Sequence, residues 1–143
     1  MYYNEMSLRI KAISENEAFA RVCVASFCAL ANPNVEELCD IKTCVSECVT
    51  NSVVHAYPDM LGDVYINVKI EDSDITITVS DKGVGIIDLD KARQPFYTSK
   101  PESERSGMGF TVIDSLMDKV KITTKINGGV RVVMRKHLQR ATV

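Results

Sequence analysis

Val64, Ile66, Val68 and Ile70 alternate with polar residues, and after Glu71 to Asp74 the alternation resumes at Ile75, Ile77 and Val79. A period of two places every second side chain on one face, so each run reads as a strand with one apolar side. The short polar stretch between them suits a hairpin. Half-polar strands joined in hairpins belong to an antiparallel sheet with one face covered and the other wet.

The cover is expected from helices. Ser14 followed by Glu17 has the spacing of a capping box and opens a helix to about Ala31, where Asn32-Pro33 stops it. Asn34 followed by Glu37 repeats the signal and starts a long helix ending near Tyr57-Pro58. Leu8, Ile10 and Ala12 alternate as a first strand. Asp88 to Arg93 reads as a short helix and "QPFYTSKPESERS" as a loop. Gly107 to Lys119 reads as a helix with Val112, Ile113, Leu116 and Met117 inward. Strands at Val120–Ile126 and Val130–Arg135 turn at Asn127-Gly128-Gly129. The expected fold is an α/β two-layer sandwich, a mostly antiparallel mixed sheet with helices on one face. No repeat or linker divides the chain, so residues 1–143 are read as one domain.

With 45% hydrophobic and 25% charged residues among 143, the composition is that of a globular domain with its own core. A formal net charge of -2 offers no basic field for a phosphate backbone, so no direct nucleic-acid partner is expected. No apolar run reaches the ~18 residues of a membrane span, and the opening residues lack a secretory layout. The expectation is a cytoplasmic protein without a membrane partner. Cys23, Cys28, Cys39, Cys44 and Cys48 form no C-x-x-C pair. They read as small buried hydrophobes rather than metal ligands, although Cys44 and Cys48 share a helix face.

Three stretches carry candidate chemistry. In "SECVTNSVVHAY", Val45, Val49, Ser52 and Ala56 recur at helical spacing as a buried stripe, while Glu47, Asn51 and His55 form a second stripe of groups that resist burial. "DKGVG", Asp81 to Gly85, follows the strand ending near Ser80. It reads either as a tight turn or as a turn whose Gly83 and Gly85 admit a flat ligand, with Asp81 accepting from an exocyclic amine. "SGMGF", Ser106 to Phe110, opens a helix and reads either as a glycine-softened loop end or as an anion site, whose free amides favour an anion and whose Gly107 and Gly109 leave room for one. Neither glycine stretch is a P-loop or a Rossmann fingerprint.

A Glu-x-x-x-Asn helix, a strand leading into D-x-G-x-G, a loop, and G-x-G at a helix start resemble, in that order, the N, G1 and G2 boxes of the GHKL (Bergerat) ATP-binding superfamily. The resemblance covers nearly the whole chain. It implies ATP as nucleotide and Mg²⁺ as cofactor, with Asn51 holding the metal and Asp81 the adenine. It further implies a nucleotide site formed with Gly83, Gly85, Thr98, Lys100, Arg105, Ser106, Gly107, Met108 and Gly109. His55 stands where the family often has a basic residue, as a phosphate contact or a wall of the pocket.

Sensor histidine kinases commonly carry an amide residue where this chain has Glu47. A carboxylate there suits a nucleophile that must lose a proton, such as a serine hydroxyl. A free-standing domain of this size with that glutamate is similar to the anti-sigma-factor serine kinases. "ARQPFYTSKPESERSGMGFTVIDSLMD" and "SENEAFARVCVASF" resemble the anti-sigma F factors of endospore-forming bacteria. The resemblance implies a homodimer that binds a sporulation sigma factor and phosphorylates a serine of an anti-anti-sigma protein, with Glu47 catalytic and Arg21 touching both partners. The alternatives are a nucleotide-binding anti-sigma module without useful catalysis and a detached histidine-kinase catalytic domain. One departure stands out: Val130 lies where the family usually has a threonine whose hydroxyl helps hold adenine. Thr124, on the neighbouring strand, is a poor substitute.

Overall fold

A computed structural model describes residues 1–92 and 109–139. Its strands are β1 (Tyr3–Lys11), β2 (Asp63–Glu71), β3 (Asp74–Asp81), β4 (Lys119–Lys125) and β5 (Gly129–His137). They form one sheet in the order β1-β2-β3-β5-β4, with every neighbouring pair antiparallel. The expected hairpin is β2–β3, with Ile66 opposite Val79, Val68 opposite Ile77 and Ile70 opposite Ile75. Its loop is tighter than the sequence suggested, because Glu71 and Asp74 pair and leave only Asp72 and Ser73 in the turn. Asp72 takes a φ of 54°, which its short polar side chain tolerates, and its Oδ1 accepts from the Tyr2 amide at 2.8 Å. β1 starts earlier than its apolar alternation. Asn67 of β2 donates to Glu5 and Ser7 at 3.0 and 2.9 Å, extending the pairing with polar contacts.

The helices are α1 (Glu15–Cys28), α2 (Val35–Asn51), α3 (Leu89–Ala92) and α4 (Gly109–Leu116). A 3₁₀ turn, Ala29–Ala31, closes α1, and Asn32 at φ 57° ends it before Pro33, as expected. The capping box at Asn34 forms in full: its side chain accepts from the Glu37 amide at 2.8 Å, and Glu37 accepts from the Asn34 amide at 2.9 Å. The one expected at Ser14 does not. Ser14 is already helical and makes no side-chain cap. Glu17 turns instead to the Ser46 hydroxyl of α2 and to Arg21 one turn along its own helix, which together give its carboxylate a hydroxyl and a cation. The described part of α4 stops at Leu116, short of the expected Lys119, which already belongs to β4.

One core lies between sheet and helices. Val24 and Cys28 of α1, Ile41, Val45 and Val49 of α2 and Ile113 of α4 pack against Ile66, Ile70, Ile75, Ile77 and Met134. Each such aliphatic side chain contributes roughly 1.5–3 kcal/mol on burial. Two polar ties brace this layer. Lys136 of β5 donates to Asp40 of α2 at 3.0 Å and to the Leu116 carbonyl at 2.7 Å, joining α2 to the C-terminal end of α4. Buried Glu37 also accepts from the Gln139 amide at 2.8 Å, which anchors the segment after β5. The opposite face of the sheet is polar, a shallow concavity of about 550 Å³ lined by residues such as Arg9, Tyr65, Asn67, Thr78 and Arg131. Among the described residues no helix is long and apolar enough to cross a membrane.

Cys28, Cys44 and Cys48 are buried as read from sequence, Cys23 is half-buried, and Cys39 is exposed. Cys39 departs from the expectation because α2 turns that side away from the core stripe of Ile41, Cys44, Val45 and Cys48.

Candidate functional site

The two stripes of the long helix separate as their chemistry requires. Val45, Val49, Ser52 and Ala56 are buried, whereas Glu47, Asn51 and His55 are half-buried along the flank. After Asn51 the helix widens into a π turn, Ser52–Ala56. Such single turns are uncommon and often mark functional sites. This one ends the helix at Tyr57, beside the "DKGVG" turn.

Glu47 and Asn51 converge on the first residue of α4, far along the chain. A Cβ built on Gly109 would stand 3.2 Å from Asn51 Nδ2, 3.2 Å from Glu47 Oε2 and 3.5 Å from Asn51 Oδ1. A carboxylate and an amide one helical turn apart thus meet the N-terminal end of another helix, where backbone N–H groups face outward. Only glycine leaves that space open. Hard oxygen donors beside an anion-favouring helix end suit a Mg²⁺–phosphate group, with Asn51 Oδ1 the donor that would hold the metal.

Asp81 ends β3 on the helix-covered face and is 7% exposed. Its Oδ2 accepts from Ser52 Oγ at 2.9 Å, and its Oδ1 accepts from the amides of Gly83 at 3.0 Å and Val130 at 3.2 Å. A buried carboxylate that accepts from three segments of the chain is fixed in orientation.

A glutamate–asparagine pair, a buried aspartate after a strand and a glycine-led helix in this order match a known domain. The sequence profile of the family described as "Histidine kinase-like ATPase domain" matches residues 10–136. The chain belongs to this family. An Anti-sigma F factor of Geobacillus thermodenitrificans is 51% identical to this histidine kinase-like ATPase domain over 96% of the chain and 95% of the relative. Those of Oceanobacillus iheyensis and Bacillus subtilis are 52% and 50% identical over the same shares. Among solved structures, the RsbU and RsbW domains of a Mycobacterium tuberculosis protein superpose with a TM-score of 0.70 at 16% identity. That match spans 97% of this chain and 34% of the longer one, and it shows a shared fold.

In this histidine kinase-like ATPase domain the glycines of "DKGVG" face protein. A Cβ on Gly83 would overlap the Ala56 carbonyl, and one on Gly85, at φ 82°, would overlap the Lys125 carbonyl. The turn is therefore clamped between the π turn and the β4–β5 hairpin. Val84 donates to Ala56 O at 2.9 Å, and the Ile86 amide donates to Thr124 Oγ1 at 2.8 Å. Thr124 is thus engaged with the loop and with Gly129 O, not with Asp81, as the sequence suggested. Tyr57 adds a second clamp: its hydroxyl accepts from the Lys82 amide at 2.8 Å and donates to Asp63 O at 2.7 Å.

Arg21 stands on α1 with a 43% exposed side chain, its Nε 3.6 Å from Glu17 Oε1, and Glu17 in turn accepts from Ser46, the neighbour of Glu47. Thr98, Lys100, Arg105, Ser106, Gly107 and Met108 lie outside the described residues. Sequence reading assigned Ser52 only to the core stripe and Tyr57 only to a helix end. The available signal was chemical: a hydroxyl held out of water needs a partner, and the structure supplies Asp81 to Ser52 and the Lys82 amide and Asp63 carbonyl to Tyr57.

Proposed function

We propose that the chain is an anti-sigma factor that binds a sporulation sigma factor and transfers the γ-phosphate of ATP to a serine of an anti-anti-sigma partner. The observation that carries the chemical half is the convergence of Glu47 and Asn51 on Gly109. The binding half is supported by relatives near 50% identity that span the chain and are named for anti-sigma activity.

Each part of the transfer has a residue suited to it. Asp81, held by three donors, accepts the exocyclic amine of adenine. The N-terminal amides of α4 bind phosphate oxygens, and Asn51 Oδ1 orients Mg²⁺, whose charge offsets that of the triphosphate. Glu47 Oε takes the proton of the partner's serine hydroxyl as its oxygen bonds to the γ-phosphorus and ADP leaves. A neutral imidazole acceptor already presents a lone pair and needs no such base, which favours serine over histidine. Thr98, Lys100, Arg105, Ser106, Gly107 and Met108 complete the phosphate site in this reading. Among the described residues Arg21 is held by a long contact to Glu17, which it can exchange for a partner's carboxylate. The working unit is a homodimer acting in the cytoplasm.

Incubation with γ-labelled ATP, Mg²⁺ and an anti-anti-sigma protein tests this. Acid-stable label on a serine is expected. Acid-labile label would point to histidine phosphorylation, and no transfer with sigma binding intact would reduce the chain to a nucleotide-binding anti-sigma module.

A further inference from the structure

Ser52 opens the π turn, and its hydroxyl leaves its own helix to reach Asp81. A helical serine ordinarily bonds back to a carbonyl of the preceding turn. Here Oγ donates to Asp81 Oδ2 at 2.9 Å between two residues that are 5% and 7% exposed. Each carboxylate oxygen has two acceptor directions. Gly83 and Val130 amides take both on Oδ1, and Ser52 takes one on Oδ2. Among the described residues one direction remains, and it lies on the oxygen that Ser52 holds.

The sheet does not supply this hydroxyl. Ser80 pairs with Arg131 and Val79 with Val132, so the next residues along the two strands, Asp81 and Val130, are neighbours across β3 and β5. The side chain beside Asp81 on that strand is therefore apolar. Its isostere with a hydroxyl, threonine, would place a donor next to the same carboxylate from the opposite side.

We propose that Ser52 determines base specificity: by occupying one direction of Asp81 Oδ2 it aims the remaining one at the exocyclic amine of a bound adenine. The helix hydroxyl does here what a hydroxyl at position 130 would do from the sheet. The proposal rests on the reading of Asp81 as the adenine acceptor.

The test compares the affinities of ADP and purine riboside diphosphate, which lacks the exocyclic amine, for the wild type, Ser52→Ala, Val130→Thr and the double variant. Ser52→Ala is expected to weaken ADP about tenfold, the scale of a hydrogen bond to a charged group, and to leave the purine analogue nearly unchanged. Val130→Thr in the Ser52→Ala background is expected to restore most of the lost discrimination. Thermal melts establish that each variant is folded, and Ser52→Cys, of similar shape with a weak donor, replaces Ser52→Ala if that variant does not fold. Unchanged ADP affinity, equal losses for both nucleotides, or a loss that Val130→Thr leaves untouched would each overturn the proposal. A wild type that binds both nucleotides equally would overturn the role of Asp81 itself, and this proposal with it.

Discussion

Gly109→Ala separates the stability of the fold from the working of the site. The added Cβ would lie 3.2 Å from Asn51 Nδ2 and from Glu47 Oε2, a few tenths of an ångström inside ordinary contact. Both obstacles are ends of side chains, so they yield and the backbone stays. Because those ends can rotate aside, stability should change little. Asn51 and Glu47, however, are pushed away from where the proposed metal and nucleophile would sit, and a displacement of about 1 Å can cost ~10²-fold in rate. A shift of a few tenths should then lower phosphotransfer about tenfold. Thermal melting, nucleotide titration with Mg²⁺ and initial rates of serine phosphorylation measure the three quantities on one preparation. Gly83→Ala is the contrast: its Cβ meets the Ala56 carbonyl, which is backbone and cannot move aside, so that variant should lose stability first. Unchanged rate and affinity in Gly109→Ala would refute the placement of Glu47 and Asn51 at the reacting centre. A rate loss matched by a fall in melting temperature would refute the separation.

Three further outcomes follow from the burial of Asp81 and of the cysteines. Asp81→Asn should weaken adenine nucleotides more than a nucleotide lacking the exocyclic amine, by about 1–3 kcal/mol for an unpaired buried partner; equal losses in a titration would contradict its role. Burial pushes the thiols of Cys28 and Cys44 up to about 12 and raises that of Cys48, so they stay protonated and inert in the fold. Alkylation at pH 8 followed by peptide mass analysis should mark exposed Cys39 first and these three only on unfolding. Because unfolded thiols titrate near their ordinary value of 9.0, the folded state retains protons that the unfolded state loses above it. This contribution is complete below pH 9.0 and is lost as pH rises toward 12, so melting temperature should fall over that window.

The parts legible in the sequence are those whose signal is local and periodic. The β2–β3 hairpin follows from strict alternation, and the second capping box from Asn34 and Glu37. Glu47, Asn51, Asp81 and Gly109 stand out in the sequence through the order of motifs that resembles the GHKL boxes, and the structure brings the first two to Gly109. The failures come from tertiary contacts and from a turn with no period of its own. Ser14 and Glu17 have the same spacing as Asn34 and Glu37, yet no local pattern shows that Ser46 lies across the helix pair and draws Glu17 away. The π turn at Ser52–Ala56 has no periodic signature, since a single widened turn hardly shifts the apolar stripe. Ser52 looked like a core position because it is one; its bond to Asp81 depends on a strand that pairs only in the folded sheet.

The central claim, that this domain is a serine kinase whose base is Glu47, is tested most directly by Glu47→Ala. Removing the carboxylate takes away the acceptor for the serine proton, a role typically worth ~10²–10⁴-fold in rate. Asn51, Asp81 and Gly109 remain, so Mg²⁺·ATP and sigma factor should bind nearly as before. The measurement is the single-turnover rate of label transfer from ATP to the anti-anti-sigma serine, with ATP binding followed on the same sample. The account predicts a rate reduced by at least about a hundredfold with binding retained. Transfer at the wild-type rate would contradict it and leave Glu47 a bystander on α2.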